Sequence, residues 1–465
     1  MAMLRQLEKQ KERWTLPLIL LAAVGVMEFL FITGESLFYY IGYYLTEDYL
    51  IVPCMLFVGL VLAGHPAAFA KRRLWLSAAA VGWFVFAQMV HKLSGTGTHP
   101  IGTVFFVYLM AFPFASATED RENRGLKLMG ILFTAAALML TGYGLLLILN
   151  QIPEIMKDFL YWDGIRLHVL WHSNISACFF MIGIGFAISG ALCTEKLWRK
   201  LSLLAVTLVL FLGMALTNCR TTLLMTCAFF GGTAFFLISR KGGWKRILAG
   251  LAAALVIAAC SFWFSGVVYE SNGERIEQQI IEQRQSGEKK VSIKGNVKVN
   301  KETGEVTIRA KNQQKTLSND MKTLNGRTGI WKAALQAVRD NKRIALWGTE
   351  DAGPAISWYN AFDVVHAHNS WVEVLVRLGI PGLLLALVFT GLAVRSAWIL
   401  VWSRQAELWK KVLAMLTMCV MVTGVLEPYL FITNVYYHVT DFMFFFLVGY
   451  LDYWCSLLPG NRAAA

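Results

Sequence analysis

His366-Ala367-His368-Asn369 is separated from Gly379-Ile380-Pro381-Gly382 by residues 370–378. The pair of motifs sits where a long polar segment re-enters an apolar one. A histidine there meets both water and a membrane surface. A neutral imidazole can draw a proton from a sugar hydroxyl near neutral pH. The competing structural reading is that His368 caps the following helix or bonds headgroups. Two histidines at i, i+2 also suggest a metal, with Asp363 nearby, but no cysteine or further carboxylate completes a ligand spacing.

Three arginines could serve such a base. Arg220 interrupts two apolar runs at Thr217-Asn218-Cys219-Arg220-Thr221, with almost no loop around it. A guanidinium at that depth is costly unless it is paired, snorkels to headgroups or lines a polar cavity. Its fork matches phosphate oxygens. Arg166 precedes Trp171-His172-Ser173-Asn174, and Arg327 follows Asn325-Gly326. Three separated arginines around a histidine could form a pyrophosphate cradle with a base. Glu28, Glu427 and Asp441 fall inside or at the end of apolar runs. Such acids are functional candidates or partners of the arginines.

The elements that must position these residues are membrane helices. Of 465 residues, 56% are hydrophobic and only 16% charged. Many apolar runs approach the roughly 20 residues that cross a bilayer as helix, and only helices satisfy their backbone there without a closed barrel. Twelve spans are expected, near 15–33, 49–64, 74–91, 100–116, 126–149, 174–192, 201–217, 221–239, 246–268, 371–394, 410–430 and 436–455. With the N-terminus inside, the cytoplasmic segments hold 22 lysines and arginines. The short outer loops hold only Lys92, Lys157, Arg166 and Arg220. This bias puts both termini in the cytoplasm. It also turns the +13 net charge away from a nucleic-acid reading, because the charge is spread along membrane edges. The first span is expected to be retained rather than cleaved. The eight cysteines lie in spans or at their edges and read as small packing residues.

The expected organisation is helices one to nine in residues 1–268, an outer segment over 269–365 and helices ten to twelve in 366–465. In the outer segment, Glu270 to Arg284 reads as a charged helix continuing from span nine. Val291 to Val299 and Glu305 to Ala310 alternate around Lys301-Glu302-Thr303-Gly304, a hairpin pattern. Arg327 to Asp340 reads as a helix with Trp331, Ala334, Leu335 and Val338 on one face.

Taken in order, these residues resemble the O-antigen ligase and polymerase superfamily. Its ligase signature is His, then Asn, Ser or Gln, nine residues, then Gly-x-x-Gly; here it is His368-Asn369 and Gly379-Ile380-Pro381-Gly382. Its Gly-Arg with a Trp four residues on is Gly326-Arg327 and Trp331. Its Ser-Arg at the outer edge of a mid-chain span is Cys219-Arg220, with serine replaced. Its Arg followed by Pro-Asn is Arg166 and Ser173-Asn174, with proline replaced. The resemblance covers roughly 160–385.

It implies an all-α polytopic fold of the GT-C-like ligase kind with one large extracytoplasmic segment. It implies a metal-independent, inverting glycosyltransferase without cofactor in the bacterial cytoplasmic membrane, active on the outer face. The donor would be a glycan on undecaprenyl pyrophosphate, and the acceptor a lipid or glycan hydroxyl. His368 would be the base and Arg220, Arg327 and Arg166 the pyrophosphate ligands, with His366, Asn369, Asn174, Trp331 and Glu427 in support. A repeat-unit polymerase of the same superfamily is the second reading. A transporter or flippase using the intramembrane acids is the third, though no matching broken-helix halves are visible in the sequence.

Overall fold

The computed structural model describes residues 16–37, 74–93, 117, 120, 122–148, 162–163, 166–167, 169, 173–239, 242–285, 297–299, 306–308, 327–349, 352–359, 364, 366–428, 430–431 and 438–458. The helices among them are α1 (Leu16–Leu37), α2 (Leu74–Leu93), α3 (Arg124–Ile148), α4 (Ser173–Cys193), α5 (Leu197–Thr217), α6 (Arg220–Ser239) and α7 (Trp244–Gln285). They continue with α8 (Arg327–Asp340), α9 (Lys342–Trp347), α10 (Ala352–Ser357), α11 (Ser370–Trp402), α12 (Leu408–Thr423) and α13 (His438–Leu457). Six of these helices are long and apolar enough to cross a membrane. The spans expected near 49–64 and 100–116 lie outside the described residues.

Burial separates the helices by role. Nearly every side chain of α4 is buried, from Ser173 through Ala191. It is the axis of the bundle, packed by α3, α5, α6, α12 and α13. The apolar part of α7 is the opposite case: Leu251, Leu255, Val256 and Trp263 are exposed, which suits a face turned to lipid. The helix runs on without a break to Gln285, taking in the charged stretch expected to continue from span nine. Two short strand pairs accompany the helices. β1 (Trp162–Asp163) pairs antiparallel with β2 (Arg166–Leu167). β3 (Val297–Val299) pairs antiparallel with β4 (Val306–Ile308), Lys298 opposite Thr307. The other residues of the expected hairpin lie outside the described set.

The α8 face differs from the sequence expectation. Its buried stripe is Ile330, Ala333, Ala334, Ala337 and Val338, whereas Leu335 is exposed. Positions spaced i, i+3, i+4 share a stripe, and Leu335 falls one position past it. The alanines let α8 approach closely. A small apolar core forms there from Ile330, Ala334, Val338, Ile356, Leu375 and the buried Ala367.

α11 is two helices joined at a kink. Gly379 takes φ 69° and ψ −173° inside it, and Pro381, which has no N–H, follows. The carbonyls freed there find other donors. Thr349 N–H donates to Val376 O at 2.9 Å, and Trp83 Nε1 donates to Leu378 O at 3.1 Å. Trp83 also stacks on Trp347, with ring centroids 5.4 Å apart. Gly348 (φ 78°) and Gly379 make the approach possible: a Cβ on Gly348 would lie 2.0 Å from Arg377 O, and one on Gly379 2.6 Å from Leu346 O. Gly379 of the Gly-x-x-Gly motif, together with Gly348, therefore shapes the backbone where α9 meets α11, whereas Gly382 faces the Leu378 side chain within α11.

Candidate active site

The N-terminal end of α11 begins with a cap. Asn369 accepts hydrogen bonds from Trp371 N–H at 2.9 Å and Val372 N–H at 3.0 Å. This satisfies two of the orphan donors of the first turn. His368, one residue earlier, sits in the left-handed region at φ 51°. A residue with a Cβ is uncommon there and must be held by its surroundings.

The turn that follows α12 is fastened to this same start of α11. Ser370 N–H donates to Gly424 O at 2.9 Å. Asn369 Nδ2 donates to Val425 O at 2.8 Å. Ser370 Oγ donates to Glu427 O at 2.9 Å and accepts from Leu430 N–H at 3.0 Å. Glu427 lies in this turn, past the end of α12 at Thr423 and not in the helix.

Glu427 is the point of convergence. Its side chain is only 5% exposed. Oε1 accepts from Arg327 Nη2 at 2.5 Å and from Asn174 Nδ2 at 2.7 Å. Oε2 lies 3.5 Å from His368 Nδ1. The arginine heads α8, the asparagine starts α4 and the histidine precedes α11, so three distant segments meet on one carboxylate. His368 is about one-third exposed, which leaves the imidazole accessible while its carboxylate partner is buried. His366 packs edge-on against His368, with centroids 4.1 Å apart.

Trp331 and a residue that the sequence reading did not single out, Glu373, secure the loop backbone. Trp331 Nε1 donates to Ala367 O at 3.0 Å. Ala367 N–H donates to Glu373 Oε2 at 2.6 Å, and Arg377 Nε donates to Glu373 Oε1 at 2.8 Å. A signal for Glu373 existed: a carboxylate four residues before an arginine at the start of an otherwise apolar span.

Arg220 is the first residue of α6, after the left-handed C-cap Asn218 of α5. Cys178, one turn along α4 from Asn174, has Thr423 and Cys219 among its electrostatic neighbours. The α5–α6 turn therefore lies beside the end of α4 that carries Asn174. Asp441 is fully buried at the start of α13, near the Phe431 backbone. The backbone of Arg166 is in β2; its side chain, and that of Glu28, lie outside the described residues.

The site thus holds an accessible imidazole backed by a buried carboxylate, an arginine paired to that carboxylate and a second arginine at a helix start nearby. Such a set can move a proton and oppose negative charge. Residues 204–387 match the family described as O-antigen ligase, a span that contains Arg220, Arg327, Trp331 and His368. The match indicates O-antigen ligase-like or polymerase-like function. No curated protein matches the chain.

Proposed function

From the match over residues 204–387, which supports membership of the O-antigen ligase and polymerase superfamily, we propose that the protein transfers a glycan from undecaprenyl pyrophosphate to an acceptor hydroxyl. The reaction takes place at the outer face of the bacterial cytoplasmic membrane. With the proton on Nδ1, which stands 3.5 Å from Glu427 Oε2, Nε2 of His368 is the basic nitrogen. It takes the acceptor proton as the acceptor oxygen attacks the anomeric carbon. A new glycosidic C–O bond forms with inversion, and the bond from the anomeric carbon to the phosphate oxygen breaks. The electron pair leaves on the lipid pyrophosphate. Arg220 and Arg327, with Arg166, oppose the charge that develops on that leaving group. The donor already stores the activation, so no cofactor or metal is assigned.

The observation that carries this reading is the convergence of His368, Arg327 and Asn174 on the buried Glu427 carboxylate. Ligation is preferred to polymerisation because a single large outer segment precedes His366. The test uses purified protein in nanodiscs, an undecaprenyl-pyrophosphate oligosaccharide and an envelope extract as acceptor. Wild type should release undecaprenyl pyrophosphate and His368→Ala should lose all but a residual trace of that release. A ladder of lengthened lipid-linked products would reassign the enzyme as a polymerase. No release by folded wild type with any acceptor fraction would move the reading to transport.

A further inference from the structure

We propose that Glu373 is a positioning residue for the base His368, an assignment that rests on the glycosyl-transfer reading above. Glu373 is 1% exposed, so it is shielded from substrate. Both of its carboxylate oxygens are used, one by Ala367 N–H and the other by Arg377 Nε. Ala367 is the residue between the two histidines and is itself fully buried. Its carbonyl is held by Trp331 Nε1. The peptide groups on both sides of Ala367 are therefore tied to side chains from two different helices.

Helix capping does not account for Glu373. The cap of α11 is supplied by Asn369, which already accepts from Trp371 and Val372. Glu373 instead reaches past the cap to a residue six positions earlier in the chain. That reach fixes the direction of the chain as it enters His368. The left-handed backbone at His368 (φ 51°) is unfavourable for a residue with a Cβ and persists only where neighbours impose it. Without the carboxylate, Ala367 N–H would be a buried donor with no acceptor, and the loop would gain freedom to relax. His368 Nδ1 already stands 3.5 Å from Glu427, so a small relaxation separates the imidazole from its carboxylate. Misplacing a catalytic group by about 1 Å is enough to cost on the order of 100-fold in rate.

The test compares wild type, Glu373→Ala and Glu373→Gln in nanodiscs, by release of undecaprenyl pyrophosphate and by amide hydrogen exchange of peptides covering 364–370. Glu373→Ala should lower kcat on the order of 100-fold while donor KM stays near the wild-type value. Glu373→Gln keeps one acceptor oxygen and should recover part of the loss. Exchange at 366–369 should rise in Glu373→Ala while the 383–400 part of α11 keeps its protection. In a His368→Ala background, Glu373→Ala should reduce residual release no further, because its effect passes through the imidazole. Trp331→Phe removes only the other hydrogen bond to Ala367 and reports on the same clamp should Glu373→Ala not fold. Unchanged kcat with a loosened loop, or an equal fractional loss with and without His368, would overturn the assignment. No release by wild type would remove the transfer reading and the positioning role together, a result distinct from active wild type with an indifferent Glu373.

Discussion

Glu427 Oε2 stands 3.5 Å from Nδ1 of His368, although the two residues are separated by the whole of α11 and α12. A carboxylate behind an imidazole selects the tautomer that leaves the far nitrogen basic, and it stabilises the imidazolium that forms on proton transfer. Glu427 is also held by Arg327 and Asn174, so its place does not depend on the histidine. Glu427→Gln keeps the size and one acceptor but loses the charge. It should lower kcat on the order of 10- to 100-fold, a part of the roughly 100- to 10,000-fold that positioned proton transfer contributes. Steady-state release assays check this, with a melting curve to show that the fold is retained.

The arginines should separate by kinetics. Arg220→Ala should raise the donor KM as well as lower kcat, because pyrophosphate contacts act in both the bound complex and the transition state. Arg327→Ala carries a second penalty. It leaves the buried Glu427 carboxylate without its cation, and breaking a buried pair costs roughly 3–5 kcal/mol. Arg327→Lys retains the charge and should restore most of the stability but less of the donor affinity, since an ammonium lacks the planar fork. Donor binding and thermal melting of the three variants test the two roles separately. Normal donor affinity in both Arg220→Ala and Arg327→Lys would remove the pyrophosphate assignment.

The cap of α11 has its own signature. Asn369→Ala removes two accepted bonds and the one donated to Val425. Loss of an N-cap costs about 1 kcal/mol. The Val425 bond also joins α11 to the turn of Glu427, so activity should fall by more than the small loss of melting temperature suggests. Asn369→Asp keeps the cap acceptors but cannot donate to Val425. If it behaves as wild type in turnover, the tie to Val425 does not matter for the site.

What was legible in the sequence follows from periodicity and charge. Long apolar runs have few ways to fold in a membrane, so helices such as Ser173–Cys193 and His438–Leu457 are readable from composition alone. The α8 helix was also readable, but not its face: an alanine-rich stripe is apolar without being conspicuous, and Leu335 drew attention instead. In the site, His368, Arg327 and Trp331 stood out because polar and aromatic groups beside a membrane edge are few. The partner relations did not. Nothing in the order of residues says that Arg327 meets Glu427, 100 positions away, or that Asn174 meets it from 253 positions away. Glu373 does not stand out in the sequence because a carboxylate followed by an arginine at i+4 resembles an ordinary helix pair, whereas its second oxygen holds the histidine loop.

The two glycines at the α9–α11 contact supply the last prediction. Gly379 needs its left-handed φ of 69°, and a Cβ there would meet backbone atoms of Leu346 and Ala345. Gly348 is tighter still, facing Arg377 O. Backbone atoms cannot rotate away as a side chain can. The unfavourable φ alone costs roughly 1–2 kcal/mol for a residue with a Cβ, and the collision adds to it. Gly379→Ala and Gly348→Ala should each lower the melting temperature and the yield of folded protein. Neither glycine touches the imidazole or an arginine of the site, so kcat per folded molecule should fall far less than in His368→Ala. Wild-type stability in both variants would mean that the kink does not depend on these glycines. A full loss of turnover in stable Gly379→Ala protein would instead show that the kink geometry itself sets the position of His368, eleven residues earlier and just before the start of α11.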